Sequence, residues 1–124
     1  MARAPHVTAE LTDEALAVRC RGTYVLWAMR REVVVARRQI AGARLVPRRE
    51  ATARLGWRIG GTFLTRDRFI GGYFTVPGVP RGRQWWAAPA GEPVLVVELR
   101  DHPWNRIVVR VPGQEALAEQ LGAP

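Results

Sequence analysis

Lysine and serine are both absent from this chain of 124 residues, and its 19 basic side chains are all arginine. These absences exclude sites built on a serine nucleophile, a phosphate-loop lysine or a lysine Schiff base. A single cysteine cannot form an internal disulfide. The longest uncharged run, residues 69–80, is too short to cross a bilayer and contains glycines and prolines, so we expect no transmembrane segment.

Length and composition predict one globular domain that spans residues 1–124, with residues 1–6 flexible. The chain is 48% hydrophobic and 24% charged, as ordinary folded proteins are. Residues 1–10 lack the apolar stretch of a secretory signal. Together with the single cysteine, this predicts a cytoplasmic protein.

Few side chains suit metal or acid–base chemistry. His6, Cys20 and His102 are widely separated, so the sequence predicts no metal site and no cofactor. Asp101 is adjacent to His102, but the surrounding residues are typical of a turn. We therefore expect a protein that is not an enzyme.

Alternating apolar and polar residues predict a mainly β protein of about seven strands. The stretch 23–30 fits an aromatic strand or a helical turn, and we favour the turn. Residues 113–121 predict a C-terminal helix, and Leu117 and Leu121 on one face of it should dock against the sheets. The clearest predicted strands are 15–20, 32–36, 40–46, 83–88, 94–100 and 106–111.

Alternation also predicts which side chains face outward. In strand 83–88, an outward Arg83 would place Trp85 at the surface and Trp86 in the core. In strand 106–111, Arg106 and Arg110 should likewise face water.

Two segments, 59–63 and 70–74, share the sequence Ile-Gly-Gly. Paired glycines inside strands usually mark a bend or a bulge, because the chain can turn sharply without a Cβ atom. A backbone nest for an anion is the alternative, but no helix start or phosphate-loop side chain accompanies these glycines.

The order of elements indicates a small barrel or two orthogonal sheets with a capping helix at the C-terminus. A set of motifs along the chain points to one family: Trp57-Arg58-Ile59-Gly60-Gly61-Thr62, Gly72-Tyr73, Trp85-Trp86, 94–99 and 103–109. Through these motifs, and over nearly its whole length, the sequence resembles bacterial pleckstrin-homology-like (PH-like) proteins of actinobacterial type. The resemblance implies a PH-like barrel and leaves the activity open, since this fold serves lipids, peptides and self-assembly alike.

Positive charge is concentrated in residues 30–58, which hold nine arginines and two acids. If these arginines converge, they would take bidentate contacts to a phosphorylated ligand such as a lipid headgroup. With half of them on one face, membrane attraction reaches only about 4–5 kcal/mol, so a headgroup pocket would also be needed. The alternative is that these arginines simply form a solvent-exposed surface and bind no ligand. The candidate anion-binding residues are Arg30, Arg31, Arg37, Arg38, Arg44, Arg48 and Arg58.

Two other functions remain open. A homo-oligomer or a protein-binding module would use Trp85, Trp104 and a sheet edge as contacts. Nucleic-acid binding would use the same arginines, with Trp27, Trp57 and Trp85 as stacking platforms. This second function is less favoured, because tryptophans in a small β protein usually belong to the core.

Overall fold

The computed structural model describes the backbone of residues 6–65 and 69–122 and the side chains of 6–60 and 69–122. It confirms a mainly β protein, and its nine described strands exceed the seven expected. The predicted helical turn at 23–30 is confirmed as α1. The elements are β1 Val7–Leu11, β2 Ala15–Cys20, α1 Thr23–Ala28, β3 Glu32–Ala36, a 3-10 turn Arg37–Gln39, β4 Ile40–Val46, α2 Arg48–Thr52, β5 Arg58–Thr65, β6 Phe69–Thr75, β7 Arg83–Pro89, β8 Val94–Leu99, β9 Arg106–Val109 and α3 Gln114–Leu121.

The strands form two sheets. The smaller sheet is antiparallel with the order β1-β2-β3, and the larger has the order β4-β8-β9-β7-β6-β5. In the larger sheet only β7 and β9 pair in parallel. Strands β4 and β5 are its edges, and no pairing within the described ranges joins them into a closed barrel.

The smaller sheet packs against one face of the larger sheet, and the apolar side chains between them form the inner core. This core includes Leu16, Val18 and Val35 from one sheet and Trp85, Leu95 and Ile107 from the other. The predicted inward position of Cys20 is confirmed, since Cys20 is buried in this core.

The opposite face of the larger sheet carries an outer core, which packs under α2. Its members are Val46, Ala51, Ile70, Phe74, Trp86, Ala88, Val94, Val96 and Val108. Because both faces of β7, β8 and β9 are covered, almost every side chain of these strands is buried. The predicted surface position of Trp85 is therefore wrong, as Trp85 and Trp86 are both fully buried in opposite cores.

Helix α3 lies along β4 and closes that edge of the larger sheet. Leu117 is buried in the inner core and Leu121 packs against it, which confirms the predicted docking. The Ala43 amide donates a hydrogen bond of 2.7 Å to the Gly122 carbonyl, directly after the helix. No described helix has the length and apolar character needed to cross a membrane.

The paired glycines occupy strands β5 and β6, as the sequence indicates. The β5–β6 register shifts between Arg58 and Gly60, so the predicted bulge is confirmed there. At Gly71, an added Cβ would lie 2.9 Å from the Trp27 carbonyl oxygen. This glycine therefore lets α1 approach β6 closely. Residues 1–5 of the predicted flexible terminus lie outside the described residues, and the His6 ring packs 4.7 Å from Tyr24.

Candidate functional site

The arginines predicted to bind an anion do not converge. The predicted arginines near the smaller sheet contact different groups of residues. Arg30 lies over the Trp104 ring at 5.5 Å. Arg37 donates a 3.1 Å hydrogen bond to the Thr12 carbonyl, and it shares a shallow cleft with Arg38 and two carboxylates, those of Asp13 and Glu14.

Arg31 lies in a different surface depression beside Arg19 and Glu32. Arg19 already has two acidic partners there, Glu32 at 2.6 Å and Glu10 at 3.3 Å. These hydrogen bonds raise the pKa of the Arg19 guanidinium. Two carboxylates therefore offset part of the charge of the three arginines at this place, Arg19, Arg21 and Arg31.

Arg48 is a structural residue. It is 5% exposed, and its guanidinium donates to the carbonyls of Ala88 at 2.7 Å, Pro89 at 2.8 Å and Gly91 at 3.2 Å. Its backbone amide donates to Glu92 Oε1 at 2.8 Å. Arg48 is one of the predicted anion-binding residues, and the structure places its guanidinium between the β7–β8 turn and α2, which it fastens together.

Arg44 belongs to a cluster at one end of the outer core. Arg106 and Glu98 lie opposite each other on β9 and β8, and Arg44 lies on the same face of β4. Arg44 Nη1 is 3.6 Å from Glu98 Oε1. The fourth member is Arg54, which follows α2 and is held there because its carbonyl accepts a 2.8 Å hydrogen bond from Gln84. We call Arg44, Arg54, Arg106 and Glu98 the outer arginine cluster.

Arg106 is the unusual member of the cluster. It is only 3% exposed, yet its Nε has no hydrogen-bond partner in the part of the chain that the structure describes. Burial lowers the pKa of its guanidinium, Glu98 opposes that shift, and Arg54 and Arg44 add to it. The guanidinium stays protonated at neutral pH, as arginine does in proteins. The protein therefore buries a positive charge and leaves at least one of its donors unused.

The neighbouring amide of Gln84 does not satisfy Arg106. Gln84 lies opposite Arg106 across the β7–β9 ladder. Its Oε1 accepts from Trp86 Nε1 at 2.8 Å, and its Nε2 donates to the carbonyls of Arg54 and Thr75. Both ends of the amide are thus occupied.

The cluster contains three guanidinium groups and one carboxylate, a net charge of +2. Exposure increases outward from buried Arg106 through half-buried Arg44 to exposed Arg54. Glu98 Oε1 is itself buried without a hydrogen bond among the described residues. The arrangement supplies positive charge and N–H donors, which suit the binding of an oxyanion.

Sequence reasoning missed Arg54 and Arg106. Arg106 was expected at the surface, and that prediction is wrong because β9 is a central strand covered on both faces. The available signal was that Arg106 begins a strand whose next three residues, Ile107 to Val109, are all apolar. Continuous apolar runs are typical of strands buried on both faces.

Comparison with protein-family models, with curated proteins and with solved structures gave no match. The outer arginine cluster therefore has to be interpreted from its own geometry.

The remaining candidate contacts also differ from expectation. Trp85 is buried, donates from Nε1 to the Ala28 carbonyl at 2.8 Å and stacks on Trp104, so it is no surface anchor or stacking platform. Trp104 is half-buried and Trp27 packs against Phe69. Only Trp57, which is 84% exposed, offers a free ring for contact. Arg58 follows it as an exposed residue at the start of β5.

A cavity of about 360 Å³ opens between β1 and the start of α3. Its walls carry both signs of charge, including Arg110 and Glu115. The Gln114 side chain there is satisfied internally, since it accepts from the Val111 amide and donates to the Pro93 carbonyl. The described residues contain no group of three or more metal-ligating side chains. We therefore place the candidate site at the outer arginine cluster.

Proposed function

We propose that this protein is a non-enzymatic binding module that holds an oxyanion, and specifically a phosphate group, in the outer arginine cluster. The observation that carries the proposal is the buried Arg106 guanidinium, whose Nε donor has no hydrogen-bond partner among the described residues. Arg44 and Arg54, beside it, would complete the ligand shell.

The energetics support a ligand at this place. A buried donor without a partner costs about 1–3 kcal/mol, and more when the group is charged. Glu98 alone leaves the three cations of the cluster undercompensated. A bound phosphate would supply acceptor oxygens and negative charge together, so its binding would offset a penalty that the protein otherwise carries.

Arginine favours phosphate because its planar fork of N–H groups matches two oxygens at once. The shared chemistry is a phosphate or phosphomonoester, either free in solution or on a lipid headgroup. A compact cluster of three arginines favours a single phosphate over the long backbone of a nucleic acid, which needs several spaced contacts.

We also propose that the fold is related to that of PH-like proteins. Two packed sheets followed by a C-terminal helix support it. The open larger sheet departs from a closed barrel, so the relationship rests on the order of elements and on the motifs of the sequence.

Calorimetric titration with inorganic phosphate and with pyrophosphate tests the proposal. We expect saturable binding by the native chain and at least a tenfold weaker affinity for Arg106→Met, which removes the charge and keeps the length of the side chain. Exposed Arg21, beside the smaller sheet, provides the control, and Arg21→Met should bind as the native chain does. Equal affinity for all three proteins would overturn the proposal.

Co-sedimentation with phosphatidylcholine vesicles distinguishes the two sources of phosphate. Vesicles with phosphatidic acid present a phosphomonoester, and vesicles with an equal charge of phosphatidylserine do not. Selective binding to phosphatidic acid would identify a lipid headgroup as the ligand. Binding to free phosphate without sedimentation would identify a soluble one.

A further inference from the structure

Exposed apolar side chains gather at one edge of the larger sheet. Four of the six large hydrophobic residues that are exposed in the described part of the chain lie on or directly after α1, or at or directly before the start of β5. We call Leu26, Met29, Trp57 and Ile59 the β5 patch. The two elements meet there, because Met29 Sδ is 2.7 Å from the position of a Cβ added to Gly60.

The two edges of the larger sheet differ in whether another element covers them. The β4 edge is closed by α3 and by the hydrogen bond to the Gly122 carbonyl. On the other edge, β5 pairs with β6 alone among the described strands. Its outer backbone groups therefore face away from the sheet, with no strand partner in the part of the chain that the structure describes.

After Arg58, the β5 edge lacks the charged residues and prolines that usually discourage pairing at open edges. Residues 59–65 carry no charge and no proline. Register shifts occur near both ends of the strand, and the stretch from Gly60 to Phe63 between them is regular. This short regular stretch is the part that a further strand would extend.

We propose that two copies of this chain pair β5 against β5, antiparallel about a two-fold axis, so that one continuous sheet runs through a homodimer. This inference goes beyond the proposed anion binding and does not depend on it. Because the contact is between identical surfaces, it closes after two copies.

A second copy fits this edge better than an acidic partner does. Along β5 only Arg58 is charged, so an acidic strand would find one cation to pair with. A second β5 meets an equally uncharged segment, and the two β5 patches add exposed aromatic and aliphatic surface beside the paired strands. Each chain carries a net charge of +8, which opposes dimerisation at low salt. Added salt should therefore strengthen the dimer.

Sedimentation velocity and light scattering over a concentration series test this inference. We expect a mass of twice 13.9 kDa for the native chain at high concentration. Ile59→Lys places a charge at the proposed contact, and we expect it to raise the dimer dissociation constant at least tenfold. Val34→Lys is the matched control, since Val34 is similarly exposed but lies on β3 of the other sheet.

The control should dimerise as the native chain does, and both variants should keep the native circular dichroism spectrum. A native chain that stays monomeric, an assembly larger than two, or an Ile59→Lys protein that dimerises with the native dissociation constant would overturn the inference. Phosphate titration of Ile59→Lys keeps the two proposals separate, because its anion site should be intact whatever its oligomeric state.

Discussion

Two buried arginines in this protein have opposite surroundings. Arg48 and Arg106 are 5% and 3% exposed. The Arg48 guanidinium donates to three backbone carbonyls, whereas Arg106 Nε has no partner within the described residues. The hydrogen bonds of Arg48 therefore compensate for the burial of its charge, whereas the burial of the Arg106 charge is only partly compensated. The contrast separates a structural side chain from one that is suited to a ligand.

Replacement of Arg48 should destabilise the fold. Arg48→Met leaves the carbonyls of Ala88, Pro89 and Gly91 without their donor, so we expect the free energy of unfolding to fall by about 2–4 kcal/mol. Urea denaturation followed by circular dichroism measures the change. Exposed Arg49, the next residue, is the control, and Arg49→Met should change stability by less than about 0.5 kcal/mol. Similar values for the two variants would contradict the structural role of Arg48.

Replacement of Arg106 should have the opposite effect. In buffer without phosphate, Arg106→Met removes a buried charge that is only partly compensated, and we expect it to raise the free energy of unfolding by about 1–2 kcal/mol. Added phosphate should stabilise the native chain but not the variant. Urea denaturation with and without phosphate measures both effects. Loss of stability in phosphate-free buffer would show that Arg106 has a structural role instead.

Cys20 provides a prediction on pH dependence. Burial raises the pKa of its thiol from 9.0 to about 11. Because the folded pKa lies above the unfolded one, the thiol contributes no pH dependence below about pH 9 and makes stability fall between pH 9 and 11. Thermal denaturation across this range should show a steeper loss for the native chain than for Cys20→Ala. Identical slopes would contradict the burial of this thiol.

At the scale of elements, α3 covers the β4 edge of the larger sheet, where a further strand could otherwise pair. It covers β4 through Leu117 and through the hydrogen bond from Ala43 to Gly122. Strand β5 has no such cover among the described residues, and this asymmetry is the basis for the proposed dimer. Helix α3 is too short to be stable alone, so its contacts with β4 hold it in place.

Leu117 should account for much of the docking of α3. Leu117 is buried in the inner core, and Leu117→Ala should lower the free energy of unfolding by about 2–4 kcal/mol. Leu26→Ala removes the same atoms from a side chain that is 77% exposed and should change stability by less than about 0.5 kcal/mol in the monomer. Guanidinium denaturation at low protein concentration compares them. Equal effects would mean that α3 is not docked as described.

The sequence predicted individual strands and helices better than it predicted which strands pair with each other. Strands β3 and β4 and the helical turn of α1 follow from local patterns, and so does the docking of Leu117 on α3. The insertion of β8 and β9 between β4 and β7, and the parallel β7–β9 pair, depend on contacts between residues far apart in the chain. No local pattern encodes those contacts.

At the scale of the whole molecule, the layered architecture explains which site predictions were wrong. Period-two alternation assumes that one face of a strand meets water. The larger sheet is covered by the smaller sheet on one face and by α2 on the other. Trp85 and Arg106 are therefore both buried, although the alternation of the sequence predicted that they face water. Arg44 alone among the predicted arginines joins the outer arginine cluster.

Salt should act on the two proposed activities in opposite directions. Phosphate binding at the outer arginine cluster should weaken as salt screens the attraction. Dimerisation of two chains with a net charge of +8 each should strengthen as salt screens their repulsion. Calorimetry and sedimentation at about 50 and about 500 mM sodium chloride, between which the Debye length falls roughly threefold, measure both. Parallel trends in the two measurements would contradict this combination of mechanisms.

The neighbouring tryptophans of β7 give the two layers separate optical reporters. Trp85 and Trp86 point into opposite cores, and their indole N–H groups bond to different partners, the Ala28 carbonyl and the Gln84 amide oxygen. With the other tryptophans replaced by phenylalanine, the emission wavelength and acrylamide quenching of each indole would follow the melting of one layer alone. Two adjacent residues would then reveal whether the faces of one sheet lose their packing together or in sequence.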